Sequence, residues 1–366
     1  MHVGMSVMFQ GLNGAAADRE SWSHNLELAD QAEPRGFDSI WTPEHHFTDY
    51  VMSPNPAQFL TYMAGRTKRL KLGSMVMVLP WHDPVRVAEE TIVLDHMSQG
   101  RVVLGFGRGL GPIEFDGFRV EMGESRSRFT EYAAAITDGL ESGTMEYDGD
   151  LYKQPAVNLR PAPYASFKGR IYASAVSPES AKIMARLGYG LMIIAQKPWD
   201  TAIAEIKDYR ELYIETNGEE PPKPILVNFT MVHDDAATAV ELQDEYGLAY
   251  SHSAVTHYDF TNPRLEKVSG YEYYANLRKG IEKRGLDTFA RFLAELQIIG
   301  TPDEVVEKTI ERVRLIDAGA VLNVFSFGGM PTEVSQANLD LYVEKVLPRL
   351  KEFETDRDIG RQTAVA

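Results

Sequence analysis

The 366-residue chain contains no cysteine. Disulfides, thiolate metal centres and a cysteine nucleophile are therefore excluded, and the absence fits a reducing compartment. Positive charge is also scarce: 37 Lys and Arg face 53 Asp and Glu, for a formal net charge of −16. A polyanionic phosphate backbone is repelled on average, so no nucleic-acid partner is expected. No run of consecutive acids forms a tail, and the surplus is read as spread over solvated helix faces. No apolar run approaches the roughly 20 residues needed to span a bilayer. The opening Met1-His2-Val3-Gly4-Met5 lacks a basic region leading into an apolar core, the mark of a secretory signal. No membrane partner and a cytoplasmic location are the expectations. Internal repeats and low-complexity linkers are missing too, so residues 1–366 are expected to form a single domain.

What the chain does have is an alternation of short β-like runs with amphipathic helical stretches. Val3 to Met8, Asp38 to Trp41, Leu70 to Leu79 and Arg101 to Phe106 read as the first four strands. Helices are expected between them, at about Glu20 to Arg35, Asn55 to Arg66 and Asp83 to Met97. Asp83-Pro84 starts the third of these well, because Asp accepts from free amides and Pro at the first position loses no helical bond. A hairpin-like insertion follows from Met145 to Arg160, with Asp148-Gly149 at its tip. Arg170 to Ser174, Leu191 to Ile194, Ile225 to Val232 and Ala320 to Phe325 bring the count to eight strands. Thr301-Pro302-Asp303-Glu304 is a capping box for a late helix.

Strands in βα order are parallel, because parallel neighbours need crossover connections. Eight of them close best as a (β/α)8 TIM barrel, although a doubly wound sheet shares the local pattern. About 234–299 breaks the rhythm. It is too long for a crossover and carries Tyr258, Tyr271, Tyr273, Tyr274, Phe289 and Phe292. It is expected over the C-terminal mouth, as an inserted lid before the last βα units, an ordinary helical excursion being the alternative.

Four stretches could carry chemistry. Trp41-Thr42-Pro43-Glu44-His45-His46-Phe47 follows the second strand, at the rim where catalytic groups of a barrel collect. Two histidines and a glutamate suggest a metal, but adjacent extended residues point to opposite faces and the helical His-Glu-x-x-His spacing is absent. No metal is expected. Proton transfer by one histidine is the sharper reading, and two packing or surface histidines the bland one. Arg101 to Gly111 joins a buried strand to a glycine-rich turn. Its glycines alternate and no helix is expected directly after them, so it is not a dinucleotide fingerprint. Such a turn still admits a flat ligand, and Arg108 beside it can grip a phosphate, or simply be solvated. Ser177-Pro178-Glu179-Ser180 starts a helix whose free amides, with the Ser180 hydroxyl, make a phosphate cradle, although most such starts only cap. Leu72 to Pro80 reads by itself as a buried strand.

Taken in order, these pieces resemble the bacterial-luciferase-like flavin monooxygenases, the family of the luciferase alpha subunit. The carrying residues are Gly36-Phe37-Asp38 with Trp41, Glu44-His45-His46-Phe47-Thr48, Gly73 through Pro80 with His82-Pro84-Val85-Arg86, and Ala88-Glu89. They continue through Leu94 to Arg101, Gly107-Arg108-Gly109-Leu110, Ser177 to Gly188, Gly300-Thr301-Pro302 and Val346-Leu347-Pro348. The similarity runs over nearly the whole chain, specifically in the first 110 residues and weakly over 234–299.

The resemblance implies a barrel that binds FMN in reduced form at its C-terminal face. By matching position, His45 is implied as the catalytic histidine, and Glu114 as an acidic residue that tunes the flavin. Met75-Val76 matches a non-prolyl cis peptide against the flavin ring. Arg108, Ser177 and Ser180 match phosphate contacts, with Val176 supplying backbone. The implied reaction uses O2: reduced flavin forms a C4a-hydroperoxide, protected from water, that oxidises a small organic substrate such as an aldehyde, ketone or terpenoid. The absence of a nicotinamide fingerprint implies flavin reduced by a separate NAD(P)H:flavin reductase, and the family implies a homodimer. Gly107 stands where luciferase has a reactive cysteine, so light emission is not expected. A deazaflavin-dependent dehydrogenase and a non-catalytic flavin-binding protein remain the alternatives.

Overall fold

Each of the eight predicted runs forms a strand in the computed structural model, which describes residues 1–11, 13–174, 177–355 and 359. They are β1 (His2–Ser6), β2 (Ser39–Thr42), β3 (Lys71–Ser74), β4 (Val102–Gly107), β5 (Ile171–Ser174), β6 (Gly190–Ile194), β7 (Ile225–Val232) and β8 (Ala320–Val324). Every strand pairs in parallel with the next. β8 then pairs with β1, from His2 opposite Ala320 to Ser6 opposite Val324. The sheet therefore closes, and the doubly wound alternative, which needs two free edges, is ruled out. Helices cover the outside, so all residues of β1, β2, β4, β7 and β8 are buried. That is why these runs read as continuously apolar rather than alternating.

Side chains fill the barrel. Trp41, Val103, Tyr172, Met192, Val227, Leu322 and Val324 belong to one interior cluster. The fully buried Trp41 finds room because its register partner on β3 is Gly73, where a Cβ would lie 2.0 Å from the indole. Its Nε1 donates to Ser39 Oγ at 2.8 Å, so the ring is buried without an orphaned donor. A larger cluster, including Leu28, Leu60, Ile92 and Ile136, packs the helices onto the outer face.

The helix starts follow the local signals. Asn55, Asp83, Ser177 and Thr301 each cap a helix by accepting from the amide three residues on, and Thr301 with Glu304 completes the capping box. The first helix spans Asp18–Asp30, ending five residues before the expected Arg35. The predicted third strand is interrupted at Met75–Val76, whose peptide bond is cis, and resumes as Met77–Val78 beside Phe106–Gly107. The hairpin forms from Thr144–Asp148 and Lys153–Asn158. One expectation fails: a helix, Pro112–Phe118, does start directly after Gly111. Pro112 takes its first position, where a missing amide costs nothing.

Residues 234–299 leave the C-terminal end of β7 and form a helical excursion. Its helices Ala236–Leu242, Leu248–Tyr258, Glu272–Arg284 and Leu286–Glu295 precede a short strand, Ile298–Gly300, that runs beside Thr230–Val232. Val255, Phe260, Leu265, Tyr271, Tyr274 and Leu293 form an apolar cluster of its own, closed against Phe115 and Met122. The excursion is thus a packed unit laid over the mouth. Among the described residues, no helix is long and apolar enough to cross a membrane.

Candidate active site

The C-terminal mouth opens into a cleft with a cavity volume of about 140 Å³ between the strand ends and the excursion. His45, Glu114, Met75, Val76, Arg108 and Ser180 all line it. Ser177 is buried beside them, its hydroxyl 2.9 Å from that of Ser180. Segments from the ends of β2, β3, β4 and β5 therefore meet at one place. Val176 lies outside the described residues. The rest of the wall is mostly apolar or aromatic: Met8, Met192, Val227 and Phe229 from the barrel, Tyr250, Tyr258 and Tyr274 from the excursion.

Glu114 organises one side. The helix that starts at Pro112 puts it in its first turn, where an acid is favoured. It is 1% exposed, yet its Oε1 faces His45 Nδ1 at 3.1 Å, accepts from the His46 amide at 2.9 Å, and lies 3.4 Å from His257 Nε2. Burial pushes its pKa up. The His45 charge and hydrogen bond, with the His257 ring 3.4 Å away, outweigh that and hold it down to about 2. Its second oxygen, Oε2, is buried and has no hydrogen-bond partner among the described residues. On the far edge of His45, Nε2 is 3.3 Å from the Tyr258 hydroxyl.

His46 turns the other way, as the strand geometry requires. Its Nε2 lies 3.0 Å from Glu44 Oε1, which also meets His82 Nε2 at 2.6 Å, while Glu44 Oε2 accepts from the Val78 amide at 2.9 Å. Burial opposes ionisation of Glu44, but these bonds hold its pKa low. With its three donors Glu44 is satisfied, and it ties the loop after β2 to the end of β3. The two neighbouring histidines thus serve separate networks, and Glu44 does not join His45.

Arg108 and the serine pair form the opposite end. Arg108 donates through Nη1 to the Gly270 carbonyl at 2.8 Å and stacks on Tyr271, its Cζ 4.1 Å from the ring centre. Among the described residues, the rest of its fork has no hydrogen-bond partner. Ser177 caps the helix Pro178–Leu187 and Ser180 projects from its first turn, while Glu179 is exposed. The two hydroxyls at this helix start, with Arg108 on the wall of the same cleft, suit a phosphate monoester. Beside them a Cβ at Gly107 would come within 2.3 Å of Val76 Cγ2, so the valine occupies the space any side chain there would need.

Sequence reasoning missed His257, Trp81 and the role of Thr48. His257 falls on the face of its helix that also carries Tyr250, Ala254 and Tyr258, and a single histidine on an otherwise apolar stripe was the available signal. Its Nδ1 is 2.7 Å from Thr48 Oγ1. Trp81 lines the cleft with its Nε1 buried and unpartnered. Among the described residues, His45, Glu114 and His257 are the group whose ligand atoms, within 4.8 Å of one another, could hold a metal ion. His45 Nδ1 and Glu114 Oε1 already face each other in a hydrogen bond, so an ion would have to displace a formed network.

A family model described as luciferase-like monooxygenase matches residues 1–318. The alkanal monooxygenase alpha chain of Photorhabdus laumondii subsp. laumondii is 30% identical over 341 residues, covering 89% of this chain and 92% of that protein. Among solved structures, monooxygenase RslO1 from Streptomyces bottropensis aligns with a TM-score of 0.79 at 24% identity, over 96% of this chain and 100% of that one. The oxygenating constituent of 3,6-diketocamphane monooxygenase from Pseudomonas putida, solved in complex with FMN, gives 0.72 at 20% identity, over 95% and 98%. An F420-dependent secondary alcohol dehydrogenase gives 0.70 at 19% identity over the same shares, so proteins with different cofactors have this fold.

Proposed function

The chain belongs to the luciferase-like monooxygenase family, and we propose that it is the FMN-dependent oxygenase of a two-component system. One observation carries the reading: His45, Glu114, Arg108, Ser180 and the Met75–Val76 peptide border a single cleft. The residues present fit the cofactor. A cradle of Ser177, Ser180 and Arg108 suits its phosphate, and the buried, unpartnered Glu114 Oε2 and Trp81 Nε1 offer one acceptor and one donor inside the cleft. Reduced FMN, when bound, supplies the electrons that activate O2. The chain's own share is positioning, water exclusion and control of a proton at His45 Nε2. The excursion serves as the lid, clipped to the barrel by Arg108 on Gly270 and by the Tyr271 hydroxyl, which donates to the Gly109 carbonyl at 3.1 Å. Excluding water keeps activated oxygen from being lost as peroxide.

Beyond the cleft, a small void of about 30 Å³ lies under the excursion and shares Tyr250, Tyr258 and Tyr274 with it. Phe260, Leu277, Phe289 and Leu293 line it, which favours an uncharged, largely hydrocarbon substrate such as an aldehyde, ketone or terpenoid. A separate NAD(P)H:flavin reductase is the proposed electron source. Tyr62, Val93 and Met97 leave apolar surface on the helices beside β2 and β3, which favours a homodimer through that face.

The test couples the protein to a flavin reductase and NADH and follows oxygen uptake and product mass across these substrate classes. His45→Ala should keep FMN bound and lower product formation by about 10²–10⁴-fold, the range for a general acid–base group. Full coupling of oxygen to product in that variant would remove His45 from the chemistry. Anaerobic turnover of an alcohol with a deazaflavin would replace the oxygenase reading with the dehydrogenase one.

A further inference from the structure

Two consecutive residues of the excursion, His257 and Tyr258, reach His45 from opposite sides. They close the helix Leu248–Tyr258. Tyr258 meets the ring directly, through its hydroxyl 3.3 Å from Nε2. His257 acts from behind, through Glu114. We propose that this pair are positioning residues that hold neutral His45 in the tautomer protonated at Nδ1, leaving Nε2 as the open proton acceptor. The proposal rests on the reading of His45 as the site's proton-handling group.

The donors and acceptors leave little freedom. Glu114 is ionised, and a carboxylate only accepts. The nitrogen facing it at 3.1 Å, His45 Nδ1, must then carry a hydrogen. His257 is pushed towards its neutral form chiefly by burial, against the pull of Glu114, and so has one ring proton to place. A lone pair on its Nε2 would be repelled by Glu114 Oε1, 3.4 Å away, so Nε2 carries the proton. Nδ1 is then the acceptor of the Thr48 hydroxyl at 2.7 Å. Thr48 thus satisfies the Nδ1 lone pair of His257, and the His257 N–H is turned towards the oxygen that orients His45, 3.4 Å away and without a formed hydrogen bond.

In front, burial keeps the Tyr258 hydroxyl protonated far above neutrality, so it donates to His45 Nε2 until a reacting group takes its place. Tyr50 stacks on His257, ring centres 4.8 Å apart, and meets His45 edge-on at 5.0 Å, which hinders rotation of both imidazoles. The titratable groups facing His45 are therefore Glu114, His257, Tyr258 and Tyr50, the last with its hydroxyl 3.3 Å from that of Tyr250. Because His257 and Tyr258 belong to one helix, seating that helix supplies both restraints and lifting it removes both. Closure over the cleft and readiness of the proton acceptor become one event.

The test uses the full chain with 15N-labelled histidine, the His45 signals being those missing from His45→Gln. At pH 8 without flavin, His45 should show a protonated Nδ1 and an unprotonated Nε2. His257→Phe should convert this to a mixture of tautomers, and Thr48→Val, which removes only the hydroxyl, should move it in the same direction. His257→Gln keeps a side-chain donor for Glu114 and should restore the wild-type pattern. In the reductase-coupled assay, product formed per oxygen consumed should fall about 10-fold or more in His257→Phe, at the low side of what a positioned proton-transfer group contributes. An unchanged His45 tautomer in both His257→Phe and Thr48→Val overturns the proposal and leaves the oxygenase reading standing. A changed tautomer with unchanged coupling supports the clamp and overturns the role given to His45.

Discussion

Asp95 and Glu114 are both carboxylates withdrawn from water, at the two ends of the same strand, β4. Asp95, at the N-terminal end, forms a fork with Arg170 through bonds of 3.0 and 2.8 Å, both side chains being 0% exposed. The guanidinium also reaches the carbonyls of Gly100 and Ser166, so neither charge lacks a partner. Glu114, at the C-terminal end, concentrates its donors on one oxygen and leaves the other empty. An unfilled buried acceptor is costly by about 1–3 kcal/mol, and under the proposed function a ligand fills it. The lower face is closed on itself to hold the barrel. Under the proposed function, the upper face is finished by what it binds.

That contrast can be broken most directly at Asp95. Asp95→Ala strands Arg170 as an unpaired buried cation and should lower stability by about 3–5 kcal/mol in urea denaturation. FMN affinity of the folded protein should be unchanged, and a loss under about 1 kcal/mol would deny the lower face its structural role.

Acid supplies the next test. His2, at the start of β1, lies 2.8 Å from Ser39 Oγ, and burial pushes its pKa down to about 4, against the pull of Asp38. Between pH 6.5 and 4 the unfolded chain then binds the extra proton, so stability falls as pH falls. Its share is roughly 3 kcal/mol, fully present above pH 6.5 and lost on the way down to about 4. His2→Gln should remove that share of the acid loss, read from denaturation curves across the range. Glu114 acts lower: its contribution is complete above about pH 4.5 and lost only as pH falls towards 2. The smallest effect belongs to the upper face. Arg108→Ala should weaken FMN binding by about 1.5–3 kcal/mol, the worth of a hydrogen bond to a charged group. Stability should fall by only about 1 kcal/mol, the worth of the bond to Gly270 in a half-buried side chain. A stability loss without an affinity loss would reverse the assignment.

Much of this architecture was legible in the linear order of residues. All eight strands were, because a strand buried on both faces reads as an apolar run and Asn55, Asp83, Ser177 and Thr301 mark helix starts by local capping. Positions His45, Arg108, Ser177 and Ser180 were legible too, each beside a strand end or a helix start. The cis peptide at Met75–Val76 was legible only through the family resemblance, and the helix after Gly111 was not, since it depends on how the chain meets its neighbours. Nor was His257, whose partner Thr48 is 209 residues away.

The sequence by itself determined which segments become strands and helices, and that Glu44, His45, Arg108, Ser177 and Ser180 stand just beyond strand ends. Those are local properties, set by periodicity and by hydrogen bonds within one turn. Closure of the sheet, the charge held on Glu114 and the enclosure of His45 were decided only in three dimensions. His45 meets Glu114 across 69 residues and Tyr258 across 213. A side chain's protonation depends on which charges and donors lie within a few ångströms after folding, and on how much water they exclude.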